Sequence, residues 1–195
     1  MYFGEIYSKY DDFIPSPDDV VLDAGAQFGD YALLCAGGFG VSEVIAFEPV
    51  KRNFEILESN IALNGFSNVK AHHLALGETE STMEIFHEND MANKYGYGTP
   101  EMAHVRTVDS LPIKRVTFMK IDVEGFEMEL LRGALETIRK NRPRIIIETH
   151  SRELDSEVKE FLANFGYKLK HTVKNSPPKG RKEMNQVMNR FYSPC

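Results

Sequence analysis

The stretch Val20-Val21-Leu22-Asp23-Ala24-Gly25-Ala26-Gln27-Phe28-Gly29-Asp30 decides the fold of this chain. Its three consecutive apolar residues are typical of a central parallel strand that is buried on both faces, and the glycines that follow are typical of a turn into a helix. Gly25 permits the tight turn, and Gly29 permits a close approach of the backbone. Because α/β proteins bind nucleotide-like ligands at such turns, the stretch predicts an α/β fold with a ligand site here.

The turn predicts a ligand that carries positive charge. A dinucleotide-binding loop follows G-x-G-x-x-G, whereas this chain has Gln27 and Asp30 at the second and third glycine positions. The carboxylates of Asp23 and Asp30 would also repel a pyrophosphate. S-adenosylmethionine fits better, since it carries a sulfonium and an ammonium and no phosphate. Asp23 is expected to meet that ammonium, directly or through water, in a contact worth roughly 1.5–3 kcal/mol; alternatively, it only caps the following helix.

A second apolar run, Val44-Ile45-Ala46-Phe47-Glu48-Pro49, predicts another strand that ends in an acid, and Asn68–Leu76 predicts a third. Glu48 lies about 20 residues beyond the glycine turn, where an acidic ligand of a ribose is expected. Its carboxylate could accept hydrogen bonds from both ribose hydroxyls, whereas the alternative is a solvated glutamate at a helix N-terminus. The predicted cofactor site comprises Asp23, Gly25, Gln27, Phe28, Gly29, Glu48, Pro49, Leu76 and Asp122.

A charged cluster follows the run Val116-Thr117-Phe118-Met119, which predicts a strand leading into a helix. Lys120, Asp122 and Glu124 alternate at its end, so they point to one side while the chain is extended. Charges so placed on a central strand are costly unless they are paired or functional, and a structural pair of lysine and carboxylate is the alternative interpretation. A further strand, Arg144–Ile147, ends in an acid and a histidine at the same edge, where open α/β sheets bind ligands.

Length and composition fit one domain. With 195 residues, of which 42% are hydrophobic, the chain can bury one sizeable core. Residues 1–195 are predicted to form a single domain with an N-terminal segment at 1–17 and an inserted hairpin, a candidate lid, at 82–108. No apolar run could span a bilayer and no secretory leader is recognisable, so we expect a cytoplasmic protein without a membrane partner. Cys35 and Cys195 predict neither a disulfide framework nor a metal site.

The chain resembles the FkbM-type S-adenosylmethionine-dependent methyltransferases. The resemblance covers about Asp18 to His150, and its motifs are Asp23–Tyr31, Phe47-Glu48-Pro49, Val108-Asp109 and, above all, Lys120–Glu127. Gln27 departs from the asparagine that is common in the family. The resemblance implies a class I methyltransferase fold, Rossmann-like, with helices on both faces of a seven-stranded sheet in the order 3-2-1-4-5-7-6, the last strand antiparallel, and a hairpin inserted between strands 3 and 4. It also implies methyl transfer, usually to a hydroxyl oxygen, with sugars and other small natural products as the better-known acceptors.

A hydroxyl acceptor needs a base, which we place among Asp122, Glu124 and His150. The two carboxylates are favoured, and Lys120 would orient them or the acceptor oxygen. No metal ligand is predicted; in the alternative interpretation, Asp122 and Glu124 together with Glu148 hold a hard divalent cation.

A short basic cluster lies between two predicted strands, Tyr167–Val173 and Val187–Tyr192. Its residues Lys179, Arg181 and Lys182 are candidates to bind an anionic part of the acceptor, such as a phosphate or an acidic sugar. The alternative is a solvated hairpin tip.

Two other functions share the cofactor half of the fold: an RNA methyltransferase, and a cofactor-binding protein that lacks catalysis. The net charge of −6 argues against a surface built for nucleic acid. The chain also shows no appended RNA-binding module, so a small-molecule acceptor is the preferred interpretation.

Overall fold

The computed structural model describes residues 6–85, 100–174 and 187–195, and most of its strands form one seven-stranded sheet. The strands in chain order are β1 (Val20–Ala24), β2 (Glu43–Phe47), β3 (Val69–His72), β4 (Ala75–Leu76), β5 (Ser81–Ile85), β6 (Glu101–Arg106), β7 (Phe118–Ile121), β8 (Arg144–Thr149), β9 (Tyr167–Lys174) and β10 (Met188–Pro194). The large sheet has the order β3-β2-β1-β7-β8-β10-β9, and a second sheet has the order β4-β6-β5.

The topology of the large sheet is that of a class I methyltransferase. Strand β10 runs antiparallel to both β8 and β9, whereas the pairings among β3, β2, β1, β7 and β8 are parallel. Numbered along the whole chain, the order differs from the expected 3-2-1-4-5-7-6, because the strands of the second sheet take the numbers 4 to 6. Counted among the strands of the large sheet alone, the two orders agree.

Strand β1 lies at the centre of this sheet because its side chains are apolar on both faces. Val21 and Leu22 are fully buried in two different hydrophobic clusters, one on each side. Strand β1 pairs in parallel with β2 and with β7, so the three strands end at the same edge. That edge therefore carries the glycine turn, Glu48 and the segment Lys120–Glu127 side by side.

Helices cover both faces of the sheet, as expected. They are α1 (Asp30–Leu33), which continues as a π-helical segment at Leu34–Phe39, α2 (Lys51–Asn64), α3 (Glu127–Arg132), α4 (Leu135–Asn141) and α5 (Arg152–Asn164). Helices α3, α4 and α5 contribute to the cluster that contains Leu22, and α1 and α2 contribute to the cluster that contains Val21. Tyr7 and Phe13 of the N-terminal segment are buried in the second cluster, so this segment is part of the core.

The prediction of one strand over Asn68–Leu76 was wrong. Strand β3 ends at His72, where the backbone turns and the N–H of Leu74 donates to the carbonyl of His72. Ala75 and Leu76 then pair with β6 in the second sheet. Val69 and the pair Ala75-Leu76 are all buried, although in different sheets, and the exposed residues His72 and His73 separate them.

The inserted hairpin predicted at 82–108 is present as β5 and β6, which pair antiparallel. Its second strand ends earlier than predicted: Val108–Ser110 form a 3₁₀ turn, because the hydroxyl of Thr107 accepts a hydrogen bond from the N–H of Ser110. Residues 86–99, on which the interpretation as a lid depends, lie outside the described residues.

The remaining sequence expectations concern membrane spans and cysteines. Across residues 6–85, 100–174 and 187–195, every helix is too short or too polar to cross a bilayer. Cys35 is buried and Cys195 is exposed, and both are free thiols.

Candidate active site

The glycine turn after β1 packs directly against the turn after β7. The N–H groups of Gly25 and Ala26 both donate to the carbonyl of Phe47, each at 3.0 Å. Gly25 has φ +76°, and a Cβ placed there would lie 1.8 Å from the carbonyl oxygen of Asp122. Only glycine satisfies both the backbone angle and the close approach, so the turn is built for contact between these two loops.

Lys120 forms a buried cation under this turn. The parallel register of β1 and β7 pairs Asp23 with Lys120, and the ammonium Nζ lies 3.4 Å from Oδ1 of Asp23 and 3.6 Å from Oδ2 of Asp122. It also donates to the carbonyl of Gly25 at 2.9 Å. Burial disfavours the charge, but the two carboxylates outweigh it and raise the pKa of Lys120. The structural pair of lysine and carboxylate, given above as the alternative interpretation, is therefore present.

The position of Asp23 changes the interpretation of the cofactor site. Asp23 is 0% exposed and does not line the cleft beside it, so a direct contact with a ligand ammonium does not fit the geometry. Lys120 is likewise enclosed and cannot reach an acceptor oxygen in the cleft. Asp122 does line the cleft, and it is the carboxylate beside Lys120 that a ligand in the cleft can contact.

Glu48 is fixed at the end of β2 by three hydrogen bonds. Its carboxylate accepts from the N–H of Gln27 at 2.8 Å, from the N–H of Val50 at 2.9 Å and from the amide of Asn53 at 3.3 Å. Burial raises the pKa of Glu48, and the backbone hydrogen bonds from Val50 and Gln27 oppose that shift. A carboxylate oxygen has two acceptor sites, so Oε1 uses both for Val50 and Asn53, whereas Oε2 keeps one for a ligand hydroxyl.

A cleft of about 1250 Å³ runs along this edge of the sheet. Ligand pockets are usually about 300–1,000 Å³, so the cleft has room for a cofactor and for part of an acceptor. The predicted residues that line it are Gly25, Gln27, Phe28, Glu48, Pro49, Leu76, Asp122 and Glu124. Phe28 is 42% exposed, which is unusual for a large apolar side chain and fits a ligand contact. Gly29 shapes the turn without lining the cleft.

The far wall of the cleft comes from the inserted strands. Met83, Glu84 and Ile85 of β5 line it, and so do Asn53 of α2 and Phe126 before α3. Sequence reasoning missed these five residues as site residues. The alternation in the hairpin indicated a strand, but it could not show that this strand lines the same cleft as the glycine turn.

Four acidic side chains surround His150, and two of them, Asp122 and Glu124, line the cleft. Its Nδ1 lies 2.7 Å from Glu127, and its Nε2 lies 3.1 Å from Glu124 and 3.8 Å from both Asp122 and Glu148. Burial lowers the pKa of His150, but the hydrogen bond with Glu127 and the charges of Glu124, Glu127 and Asp122 outweigh burial and raise it to about 9. The predicted convergence of Asp122, Glu124 and His150 is therefore present.

Glu124 reaches this cluster from a turn rather than from the strand. Strand β7 ends at Ile121, and Glu124 and Gly125 have φ of +50° and +101°. The expected alternation with Lys120 therefore holds for Asp122 but not for Glu124, whose side chain is 71% exposed.

Comparison with known proteins identifies the family. The family model described as "Methyltransferase FkbM domain" matches residues 23–169. The chain belongs to the FkbM methyltransferase family. The family named above from the glycine turn, Phe47-Glu48-Pro49 and Lys120–Glu127 is thus confirmed.

Several relatives of this FkbM-family protein are methyltransferases by name. Methyltransferase 1 of Beauveria bassiana is 28% identical over 152 residues, which cover 63% of this chain and 61% of that protein. Hexuronic acid methyltransferase AglP of Haloferax volcanii is 26% identical over 155 residues, which cover 75% of this chain and 62% of that protein. The crystal structure of methyltransferase FkbM from Methylobacillus flagellatus has a TM-score of 0.68 at 20% identity, and the match covers 97% of this chain and 46% of that one. The FkbM-family chain thus spans less than two thirds of the length of these relatives.

The acidic cluster of the FkbM-family protein satisfies the distances of a metal site but already contains positive charge. Asp122, Glu148 and His150 each offer one ligand atom within 4.8 Å of the others. However, the ammonium of Lys120 lies 3.6 Å from Asp122 and already balances part of its negative charge. We therefore assign no metal ligand, and the divalent cation at Asp122, Glu124 and Glu148 stays a hypothesis for the experiment described below.

Proposed function

We propose that this protein transfers a methyl group from S-adenosylmethionine to a hydroxyl oxygen of a small molecule or sugar. The observation that carries the proposal is the charge of the cleft. Among the described residues, four carboxylates and one guanidinium line it: Glu48, Glu84, Asp122, Glu124 and Arg52. A ligand with a sulfonium and an ammonium suits such a lining, whereas a pyrophosphate cofactor does not.

Each part of the cofactor has a matching part of the cleft in this proposal. Glu48 accepts a hydrogen bond from a ribose hydroxyl at Oε2, and the backbone N–H groups of Gln27 and Val50 hold its carboxylate in place. Asp122 takes the ammonium, the role that the sequence suggested for Asp23. Phe28, Pro49 and Leu76 provide apolar surface along the same cleft.

The chemistry is an in-line displacement. The bond between methyl carbon and sulfur breaks as the bond between methyl carbon and acceptor oxygen forms, the sulfur keeps the electron pair, and the hydroxyl proton passes to a base. Asp122, Glu124 and His150 remain the candidate bases, since the two carboxylates line the cleft and Nε2 of His150 lies beside them. Lys120 acts by fixing Asp122 and the glycine turn.

The acceptor class is proposed from the family. A sugar acceptor is supported by the relative named as a hexuronic acid methyltransferase. The basic residues Lys179, Arg181 and Lys182, which we proposed for an anionic acceptor, lie outside the described residues, so that role stays a prediction.

The test is a methyl-transfer assay on the full chain with S-adenosylmethionine and a panel of neutral sugars, uronic acids, small hydroxylated natural products and RNA. Formation of S-adenosylhomocysteine together with a methyl ether on a small-molecule acceptor is the expected result. Transfer to RNA, inhibited by salt, would instead make the protein an RNA methyltransferase. Cofactor binding without transfer to any acceptor would leave a cofactor-binding protein that lacks catalysis.

A further inference from the structure

Glu127 is a completely buried carboxylate in contact with His150, beside the cleft-lining residues Asp122 and Glu124. It is the first residue of α3 and is 0% exposed. Its Oε1 lies 2.7 Å from Nδ1 of His150 and accepts from the N–H of Gly125 at 3.0 Å. An anion in this position is favoured by the helix N-terminus, but its contact with an imidazole is not needed for that. The helix N-terminus therefore does not explain why Glu127 contacts His150.

The contact fixes which nitrogen of His150 is available. An ionised carboxylate can only accept hydrogen bonds, so an ionised Glu127 places a hydrogen on Nδ1 and leaves Nε2 as the nitrogen that faces Glu124 and Asp122. Nε2 lies 3.1 Å from Oε2 of Glu124 and 3.8 Å from Oδ1 of Asp122, both of which line the cleft. The His150 side chain is 17% exposed and does not itself line the cleft, so it borders the cleft through Asp122 and Glu124.

We propose that Glu127 is a positioning residue that holds His150 by Nδ1, so that Nε2 of His150 accepts the proton of the acceptor hydroxyl. The proposal rests on the proposed methyl transfer and assigns its base. As the oxygen forms its bond to the methyl carbon, the O–H bond breaks, the proton moves to Nε2, and the sulfur keeps the electron pair of the broken C–S bond. The imidazolium that results is stabilised by the carboxylate of Glu127, an arrangement of base and orienting acid that recurs in acid–base catalysis.

The surroundings of His150 set the pH at which this base works. Glu127 from α3, Asp122 and Glu124 from the turn after β7, and Glu148 from β8 all face it. They favour the imidazolium, so the free base is the minor form at neutral pH. We therefore expect kcat/KM to rise about tenfold per pH unit below about 9 and to level off above it. A carboxylate base of ordinary pKa, about 4, would give a flat profile over the same range.

A first experiment needs no acceptor and so stands apart from the proposed function. The NMR shifts of the two ring nitrogens of His150 are measured in the full chain above pH 9, with His150→Gln to assign the signals. The expected neutral tautomer carries its proton on Nδ1. A proton on Nε2 would overturn the assignment of Glu127 as the positioning residue, whether or not methyl transfer is ever observed.

A second experiment uses variants once an acceptor is known. Glu127→Gln keeps an acceptor for Nδ1 but removes the charge, so the inflection of kcat/KM should move to lower pH and the plateau should fall about tenfold or more. Glu127→Asp should restore the inflection toward that of the wild type. Glu160→Gln, an exposed residue of α5, is the matched control and should change neither value. His150→Gln should remove the inflection altogether.

Two results of this second experiment would also overturn the proposal. One is a flat pH profile with full activity in His150→Gln, which would place the base at Asp122 or Glu124 and leave the methyltransferase function intact. The other is an unchanged inflection in a folded Glu127→Gln. If that variant fails to fold, the tautomer measured in the wild type decides the question.

Discussion

The ammonium of Lys120 donates a hydrogen bond of 2.9 Å to the carbonyl of Gly25, so strand β7 is tied to the glycine turn that follows β1. The same ammonium lies between the carboxylates of Asp23 and Asp122. One buried charge therefore holds together the turn proposed for the cofactor and the acidic end of the cleft.

Removing this cation should destabilise the protein. Lys120→Met leaves Asp23 buried without its cation, and breaking one side of a buried ion pair costs about 3–5 kcal/mol. Urea unfolding should show a loss of that size, whereas Lys70→Met, at an exposed ion pair with Glu43, should cost about 1 kcal/mol or less. Equal losses in the two variants would mean that Lys120 contributes no more than a surface lysine.

Gly25→Ala should lower the free energy of unfolding far more than Gly40→Ala, although both glycines have a positive φ. Gly40 has φ +65° and nothing within 4 Å of its ideal Cβ, so Gly40→Ala tests backbone strain alone, at about 1–2 kcal/mol. Gly25→Ala adds a collision with the carbonyl of Asp122 and should unfold at clearly lower urea concentration. Similar midpoints for the two variants would contradict the close packing of the two turns.

Glu48→Gln should weaken the binding of S-adenosylmethionine. The substitution replaces a charged acceptor by an amide, and a hydrogen bond to a charged group contributes about 1.5–3 kcal/mol, or roughly 10- to 100-fold in Kd. Fluorescence or calorimetric titration should show that loss. Glu55→Gln, in a surface pair with Lys51, is the control and should bind like the wild type. An unchanged Kd in a folded Glu48→Gln would remove Glu48 from the cofactor site.

Local sequence indicates many of the residues that line the cleft, but it does not indicate their tertiary contacts. The apolar runs that end at Asp23 and Glu48 predicted two strands that end at the same edge. Such strands can be predicted from the sequence alone, because burial on both faces makes consecutive side chains apolar. The burial of Asp23 depends on its register opposite Lys120, some hundred residues away, and no local pattern encodes it. The pairing of Glu127 with His150 likewise joins α3 to the end of β8.

The transition after His72 shows the same limit from another direction. Leu76, predicted as a residue of the cofactor site, does line the cleft, yet it lies on a strand of the second sheet. Burial alone produces an apolar pattern, and it does not reveal which sheet provides the neighbours.

Stability should fall as the pH rises through the range in which His150 titrates. Its pKa in the folded protein is raised to about 9 from 6.5, so the imidazolium contributes stability that is complete below 6.5 and is lost as the pH approaches 9. Thermal unfolding between these limits should show a declining Tm, and the decline should be smaller in His150→Gln. The same decline in both proteins would assign it to other groups.

A chelator should not change the rate of methyl transfer, because Lys120 already supplies positive charge beside Asp122. The measurement compares initial rates before and after dialysis against excess chelator. A loss of activity that Mg²⁺ restores would contradict this and would favour a cation held by Asp122, Glu124 and Glu148.

The central claim is that the acidic cleft binds S-adenosylmethionine at Glu48 and the glycine turn. Isothermal titration of the full chain with S-adenosylmethionine tests it most directly. We predict saturable binding at one site per chain, displaced by S-adenosylhomocysteine. The absence of saturable binding, or binding that S-adenosylhomocysteine does not displace, would contradict the claim.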